Sequence, residues 1–297
     1  MRETDSPAYN ALAHANPAML RSLRAGLLTP RLLRARLALR RSPSDIEVGS
    51  SRFVCNVCGC DNARALPDEP RDTPSCRRCG SNVRFRTIAY LVTTEVLGTA
   101  MPLPDLRKRR DICGVGLSDA GTYARYLARK LSYRNTFFHT HPRLDITSVP
   151  AAESGRYDFV IASDVFEHVA PPVERAFDNA RRLLKPGGKL IFTVPFSLDA
   201  DTVEHYPDLH DYRVVQQMGR WRLYNRTRAG EVQVFDDPVF HGGPGSTLEM
   251  RVFSRTALQK HFADAGFARI RFADEAYAPF GIAWPVPWSV PIVAYAA

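Results

Sequence analysis

An α/β fold built on a doubly wound, mostly parallel sheet is what residues 111–196 predict, and three observations carry that reading. Asp-Ile-Cys-Gly-Val-Gly-Leu-Ser-Asp (111–119) ends a short apolar strand on a glycine pair. Phe-Val-Ile-Ala (159–162) is a continuous apolar run, as expected of a strand covered on both faces. Lys-Pro-Gly-Gly (185–188) stops a helix and leads into a further apolar strand at 189–194.

The glycine pair comes first. Gly114 and Gly116 let the backbone turn sharply and approach a ligand closely. Residues 120–131 then read as a helix, with Tyr123, Tyr126, Leu127 and Leu131 recurring at helical spacing. Strand, glycine turn and helix form half of a nucleotide-binding unit, whose helix N-terminus offers free amide donors. Asp119 holds the place of a third glycine, so the turn suits a pyrophosphate, as in dehydrogenases, less well. Residues 172–184 place Val173, Phe177, Ala180 and Leu184 on one helical stripe.

The order is G-x-G, then Tyr-Asp-Phe-Val-Ile-Ala-Ser-Asp-Val-Phe-Glu-His-Val (157–169), then Arg-Leu-Leu-Lys-Pro-Gly-Gly-Lys-Leu-Ile-Phe-Thr-Val-Pro (182–195). It resembles the class I S-adenosylmethionine-dependent methyltransferases, especially the type 11 group, over residues 108–275. The resemblance implies a Rossmann-like sheet and S-adenosylmethionine as cofactor, held by Gly114, Gly116, Asp145, Ser163 and Asp164. Members of the family usually end the strand after the glycine turn on an acid that binds the ribose. Here Thr-Phe-Phe-His (136–139) puts His139, Thr140 or His141 there, and the first acid is Asp145, left to the ribose or the adenine role. Asp164, Glu167 and His168 resemble the E-x-x-E-H metal motif of ubiquinone-pathway and small-RNA O-methyltransferases, which implies a magnesium or manganese site.

A chain of 297 residues with 45% apolar content allows one large domain and something small. We expect residues 1–17 as a disordered arm, 18–45 as basic amphipathic helices, 52–87 as a zinc ribbon, 88–104 as a helix and linker, and 105–297 as the catalytic domain. The net charge of +9 is concentrated early: residues 21–41 hold seven arginines, among leucines at helical spacing, and no acid. Such a stretch packs on the protein itself or a partner, or lies on an anionic membrane surface. The N-terminus lacks the apolar core of a signal peptide and no run approaches the ~20 apolar residues of a span. A cytoplasmic protein is expected, with residues 18–41 as a peripheral contact at the inner face of the membrane.

The ribbon rests on Cys55-Asn-Val-Cys58-Gly59 and Cys76-Arg-Arg-Cys79-Gly80. Two C-x-x-C-G knuckles are the spacing at which four thiolates surround one structural zinc, with Cys60 a bystander. The segment between them, with Pro67, Pro70 and Pro74, is too poor in large apolar residues to fold by burial, so metal must supply its stability. Cys76 to Arg86 resembles the C-x-x-C-G-S-x-x-R-x-R ribbon that precedes some type 11 methyltransferases.

Residues 196–247 leave the regular pattern as an insertion rich in His, Tyr and Trp, after a strand whose carboxy end is where open α/β sheets bind ligands. His205, His210 and His241 are candidate general bases, and His168 joins them as a candidate catalytic residue. Val-Gln-Val-Phe-Asp-Asp (232–237) reads as a hairpin lid. A strand at 247–253, a helix at 256–265 stopped by Gly266, a final strand at 268–272 and an extended Trp- and Pro-rich tail at 278–291 complete the chain. The expected reaction is methyl transfer to a hydroxyl or carboxyl of a small or glycan-linked acceptor. Two other readings stay open: a nucleic-acid (RNA) methyltransferase, suggested by the arginine run and the ribbon, and an inactive methyltransferase-like module that docks partners.

Overall fold

A computed structural model of the chain describes residues 52–63 and 71–297. The arm at 1–17 and the basic helices at 18–45 lie outside the described residues. No helix among the described residues is long and apolar enough to cross a membrane.

The ribbon opens with a small hairpin, β1 (Arg52–Val54) against β2 (Asp61–Ala63), around the first knuckle. In each knuckle the glycine takes a left-handed conformation (Gly59 φ 72°, Gly80 φ 67°) and turns its amide onto the carbonyl of the first cysteine, at 2.7 and 2.9 Å. Asn82 then caps α1 (Val83–Leu91), its side chain accepting from the Phe85 amide at 2.8 Å. The helix runs into one π-helical stretch, Val92–Val96, and the chain turns at Gly98 with φ 73°.

The α/β part follows as β3 (Arg109–Leu117), α2 (Gly121–Lys130), β4 (Leu131–Thr136), β5 (Tyr157–Ser163), α3 (Glu174–Leu183) and β6 (Leu184–Thr193). The insertion contributes the short β7 (Phe196–Ser197) and β8 (Val203–Glu204), a meander of β9 (Asp211–Gln217), β10 (Arg220–Arg226) and β11 (Val232–Asp236), and the hairpin β12 (Phe240–His241) and β13 (Thr247–Leu248). Then come β14 (Arg251–Ser254), α4 (Arg255–Asp264), β15 (Phe267–Phe272) and β16 (Ile292–Ala296). The main sheet has the order β15-β16-β6-β5-β3-β4, with β6, β5, β3 and β4 parallel and β16 antiparallel to both its neighbours.

Alternation along the central strands explains why their sequences are apolar throughout. Phe159 and Ile161 in β5, Ile191 in β6 and Val293 in β16 join one buried cluster with Ile88 of α1 and Tyr123 and Leu127 of α2. Val160, Ala162, Leu190, Phe192, Ile292 and Ala294 face the other way, onto Phe177 of α3 and Leu258 and Phe262 of α4. The sheet is therefore covered on both faces, and one cover is the helix that grows out of the ribbon.

Three local expectations differ from what forms. The strand expected at 136–139 is β4, which ends at Thr136, because Phe137 and Phe138 already belong to the following turn. The strand at 268–272 is not the last: β16 inserts between it and β6. The segment at 232–237 is the edge of a three-stranded meander packed through Leu223 and Phe235 on Tyr206 and Leu248.

Candidate functional site

The glycine pair lies inside β3, and the turn comes after it. Gly114 pairs with Phe159 across the sheet, and a Cβ on it would lie 2.7 Å from Cε2 of that ring and closer still to two further ring atoms. A Cβ on Gly116 would lie 2.8 Å from Cγ of Asp119 and collide with the Tyr133 hydroxyl. The space these glycines leave is thus filled by the protein's own rings and carboxylate. The turn itself is at Ser118, left-handed with φ 57°, whose amide donates to the Thr136 carbonyl at 2.7 Å. Asp119 is fully enclosed there. It accepts from the Tyr123 hydroxyl at 2.8 Å and from the Tyr133 hydroxyl, and burial pushes its pKa up to about 7 against those two hydrogen bonds.

At the carboxy end of β5 stand Ser163 and Asp164, the latter left-handed with φ 53°. Its Oδ1 accepts from the Thr193 hydroxyl at 2.8 Å. Its Oδ2 meets two guanidinium groups from the ribbon, Arg71 at 2.5 Å and Arg84 at 3.2 Å. Arg84 also donates to the Ser163 hydroxyl at 2.6 Å. Asp72 holds both arginines from behind, 3.1 Å from Arg71 and 2.7 Å from Arg84. Burial alone would raise the Asp164 pKa, but the charges of Arg71 and Arg84 outweigh it and hold the carboxyl below the usual range. Asp145 stands in its own turn, Oδ1 accepting from the Thr147 amide at 2.8 Å and hydroxyl at 2.7 Å.

One turn past Asp164, a short 3-10 helix at Phe166–His168 presents a second group. Arg251, buried on β14, fixes this turn by donating to the carbonyls of Phe166 (3.1 Å) and Val169 (2.6 Å) while pairing with Glu204 at 2.6 Å. Glu167 is wholly buried, and neither carboxylate oxygen has a hydrogen-bond partner. Its Oε1 lies 3.8 Å from His168 Nε2 and 3.7 Å from His241 Nδ1. His168 Nδ1 sits 2.7 Å from the Leu248 carbonyl, so that nitrogen carries the proton and Nε2 carries the lone pair. Burial lowers the His168 pKa, with the Leu248 carbonyl opposing, and burial raises that of Glu167, with the Asp164 charge adding to it. Glu249 bridges outward: Oε2 is 3.9 Å from His241 Nδ1, and Oε1 is 3.2 Å from His205 Nε2.

The fold therefore gathers His168, His241 and His205, from the turn after β5 and two parts of the insertion. It leaves out His210, which is exposed and engages Asn225 only through its backbone amide, at 2.9 Å. The ligand set Asp164, Glu167 and His168 is not assembled: the ribbon arginines claim Asp164, and the residue that joins Glu167 and His168 is His241. Arg71, Arg84 and Glu249 were not singled out from sequence. Arg84 stood in the R-x-R that closes the ribbon pattern, the one signal that could have marked it.

The four cysteines behave as a unit. Cys55 Sγ is 3.7 Å from Cys79 Sγ and Cys58 Sγ is 3.6 Å from Cys76 Sγ, all four within 4.8 Å of one another. Thiolates at about 2.3 Å around a tetrahedral ion stand about 3.8 Å apart, so the spacing fits a metal and not a disulfide. Cys60 is outside the cluster and donates to the Asp61 carbonyl.

Comparison with known proteins places the fold. A family profile described as a methyltransferase domain matches residues 98–271, more than half of the chain. The chain belongs to this family, the class I S-adenosylmethionine-dependent methyltransferases. A stretch of 61 residues is 43% identical to a highly reducing polyketide synthase of Hypocrea jecorina, covering 20% of this chain and 2% of the synthase. Among solved structures, similarity extends to the CurJ carbon methyltransferase (16% identity, TM-score 0.39, 70% of this chain and 55% of that one). It extends also to the amino pentose methyltransferase CalS10 of Micromonospora echinaspora (14%, TM-score 0.42, 74% and 94%). A third is the 1,6-didemethyltoxoflavin-N1-methyltransferase of Burkholderia thailandensis (13%, TM-score 0.39, 93% of each chain). The chain thus spans about half of the first of these structures and a small fraction of the synthase.

Proposed function

We propose that the protein transfers a methyl group from S-adenosylmethionine to a hydroxyl or carboxyl oxygen of a small or glycan-linked acceptor, and that zinc occupies its four-cysteine ribbon. The observation that carries the acceptor side is the convergence of His168, His241, Glu167, Glu249 and His205 just past the carboxy end of β5. Such a polar cluster suits an acceptor that must be held by its oxygen and relieved of a proton.

The cofactor side is supported by charge. The methionine end of S-adenosylmethionine is an ammonium and a carboxylate, and the group at β5 pairs one carboxylate, Asp164, with two guanidiniums, Arg71 and Arg84. The residues fit, and Ser163, Asp164, Arg71 and Arg84 would hold that end, with Asp145 toward the adenosine. When bound, the cofactor supplies an electrophilic methyl on a sulfonium. Glu249 accepts from His205 Nε2, leaving the lone pair on Nδ1, and His205 is the base that takes the proton of a hydroxyl acceptor. A carboxylate acceptor needs no base, so the two acceptor classes differ in their dependence on this residue.

Calorimetry with S-adenosylmethionine, followed by incubation with radiolabelled cofactor and fractionated lysate, tests the reading. We expect binding that Asp164→Asn weakens at least tenfold, and label in an oxygen-bearing small molecule. We expect His205→Gln to lower kcat about 100-fold on a hydroxyl acceptor, with cofactor affinity unchanged. No heat of binding, or label in RNA alone, would reject the proposal.

A further inference from the structure

We propose that the protein forms a two-fold dimer in which β11 of one copy pairs antiparallel with β11 of a second, joining the two meanders into one continuous sheet. The inference goes beyond the acceptor reading above and does not depend on it.

The first observation is an open edge. The meander runs β11-β10-β9, so β11 has a strand on one side only among the described residues. Two backbone bonds bracket its ladder: the Thr227 amide donates to the Glu231 carbonyl at 2.9 Å, and the Asp237 amide to the Trp221 carbonyl at 2.9 Å. An antiparallel ladder alternates bonded and non-bonded pairs, so Gln233 and Phe235 bond inward to β10. The amides and carbonyls of Val232, Val234 and Asp236 therefore point out of the sheet, away from β10. Exposed edges are usually blunted by lysine, proline or a bulge. Val-Gln-Val-Phe-Asp has none of these, and its register against β10 runs unbroken.

The second observation is apolar surface on that same strand. Val232 is 68% exposed and Val234 51%. On β9, the other edge of the meander, Val214 and Val215 are half-buried, and the strand opens on Asp211 and Arg213. Of the two edges, β11 is the one that calls for a cover.

The third observation is self-complementarity, which makes a second copy the occupant. With a two-fold axis at Val234, that residue meets its own counterpart and Val232 meets Asp236. All of these pairs join residues whose backbone groups are open, so they bond in both directions. The registers of β9, β10 and β11 then set the outer face. Its central row reads Arg213, Tyr224 and Val234, followed by Val234, Tyr224 and Arg213 of the second copy. This is an apolar strip closed at each end by a guanidinium that already lies 5.6 Å from the Tyr224 ring. In the next row Asp236, bound to its own Arg222 at 2.6 Å, is followed by Val232 and then Arg226 of the second copy. The carboxylate thus stands between two guanidiniums. Asp237 leaves the strand with φ 52° and Pro238 follows, which confines the pairing to β11 itself.

Sedimentation velocity and light scattering on the full chain across the micromolar range test the proposal. Wild type is expected at twice the chain mass. Val234→Lys sets two ammonium groups opposite each other across the axis and should weaken dimerisation about tenfold or more. Circular dichroism should show its fold unchanged, since Val234 is exposed. Cysteine cross-linking reads the register. Bonded antiparallel pairs stand about 5.5 Å apart at Cα, within disulfide reach, so Val234→Cys should cross-link to its own copy under mild oxidation. Val232→Cys should stay at the wild-type level, because its two copies lie about 14 Å apart along the ladder. A monomeric wild type would overturn the proposal and leave the edge to a foreign strand. A dimer that Val234→Lys leaves intact, or cross-linking at position 232 in place of 234, would overturn it as well.

Discussion

Substituting Gly114 by Ala separates two explanations of the glycine pair. If the pair cradled the cofactor, an added methyl would weaken cofactor binding and leave the fold intact. The packing around Gly114 puts the cost on the fold. The new Cβ would fall 2.7 Å or less from three ring atoms of Phe159, where carbon–carbon contact wants about 3.5–4.0 Å. The ring must retreat by roughly 1 Å, yet Phe159 is wholly buried and stacked on Tyr133 at 6.0 Å with an interplanar angle of 7°. Overpacking of this kind costs about 1–3 kcal/mol, or about 2–5 °C in Tm for a chain of this size. Phe159→Leu should relieve it, so the double variant would be more stable than the sum of the two single changes by about 1 kcal/mol or more. Thermal unfolding of the four proteins, with calorimetric cofactor titration alongside, measures both quantities. A Gly114→Ala protein that melts like wild type but binds S-adenosylmethionine tenfold more weakly would refute the assignment of this glycine to packing.

Asp119 predicts a pH dependence. Its folded pKa of about 7 lies above the ~3.9 of an unfolded chain, so the folded state holds an extra proton between about pH 4 and 7. That contribution is full below pH 4 and is lost as pH rises to 7, by at most about 4 kcal/mol. Asp119→Asn removes it, so denaturant melts should show the variant gaining on wild type across that window and running parallel above it. Arg86, buried and donating to Ser75 (2.9 Å), Ser81 (3.1 Å) and the Gly281 carbonyl (2.9 Å), ties the ribbon to the tail. Arg86→Leu strands those acceptors and should cost about 3 kcal/mol, seen as faster proteolysis near the ribbon. Cys76→Ser should abolish ribbon metal and lower Tm, whereas Cys60→Ser should change neither, as metal analysis with melting curves would show. Stripping the ribbon metal with a thiol reagent should likewise weaken cofactor binding, because Arg71 and Arg84 depend on it.

Sequence made the sheet legible because its strands carry a period that burial enforces. The run at 159–162 and the stop at 185–188 correspond to β5 and to the start of β6, where the pairing between the two strands shifts register. The glycine pair is ambiguous in sequence for a physical reason: a residue without a side chain serves close approach of any kind, and the structure shows the packing side of it, with Phe159 against Gly114. The cysteine spacing was specific because tetrahedral coordination admits few alternatives. The acceptor-side cluster was only half visible. Glu167 and His168 share a turn and so a motif, but His241 reaches them through β12 and β13, and Glu249 through the next residues, a juxtaposition that no local pattern encodes. The arginines at Asp164 were hidden in the same way, by a contact spanning 93 positions of chain for Arg71.

That long contact changes where the working unit begins. The stretch matched to the family starts at residue 98, yet the guanidiniums that face Asp164 are contributed by positions 71 and 84. A version that starts at residue 98 would lose both guanidiniums together with α1, one cover of the sheet, and would expose a lone acid at the sheet's rim. On the proposed function the ribbon walls the cofactor site through these two side chains, and removing it should silence transfer.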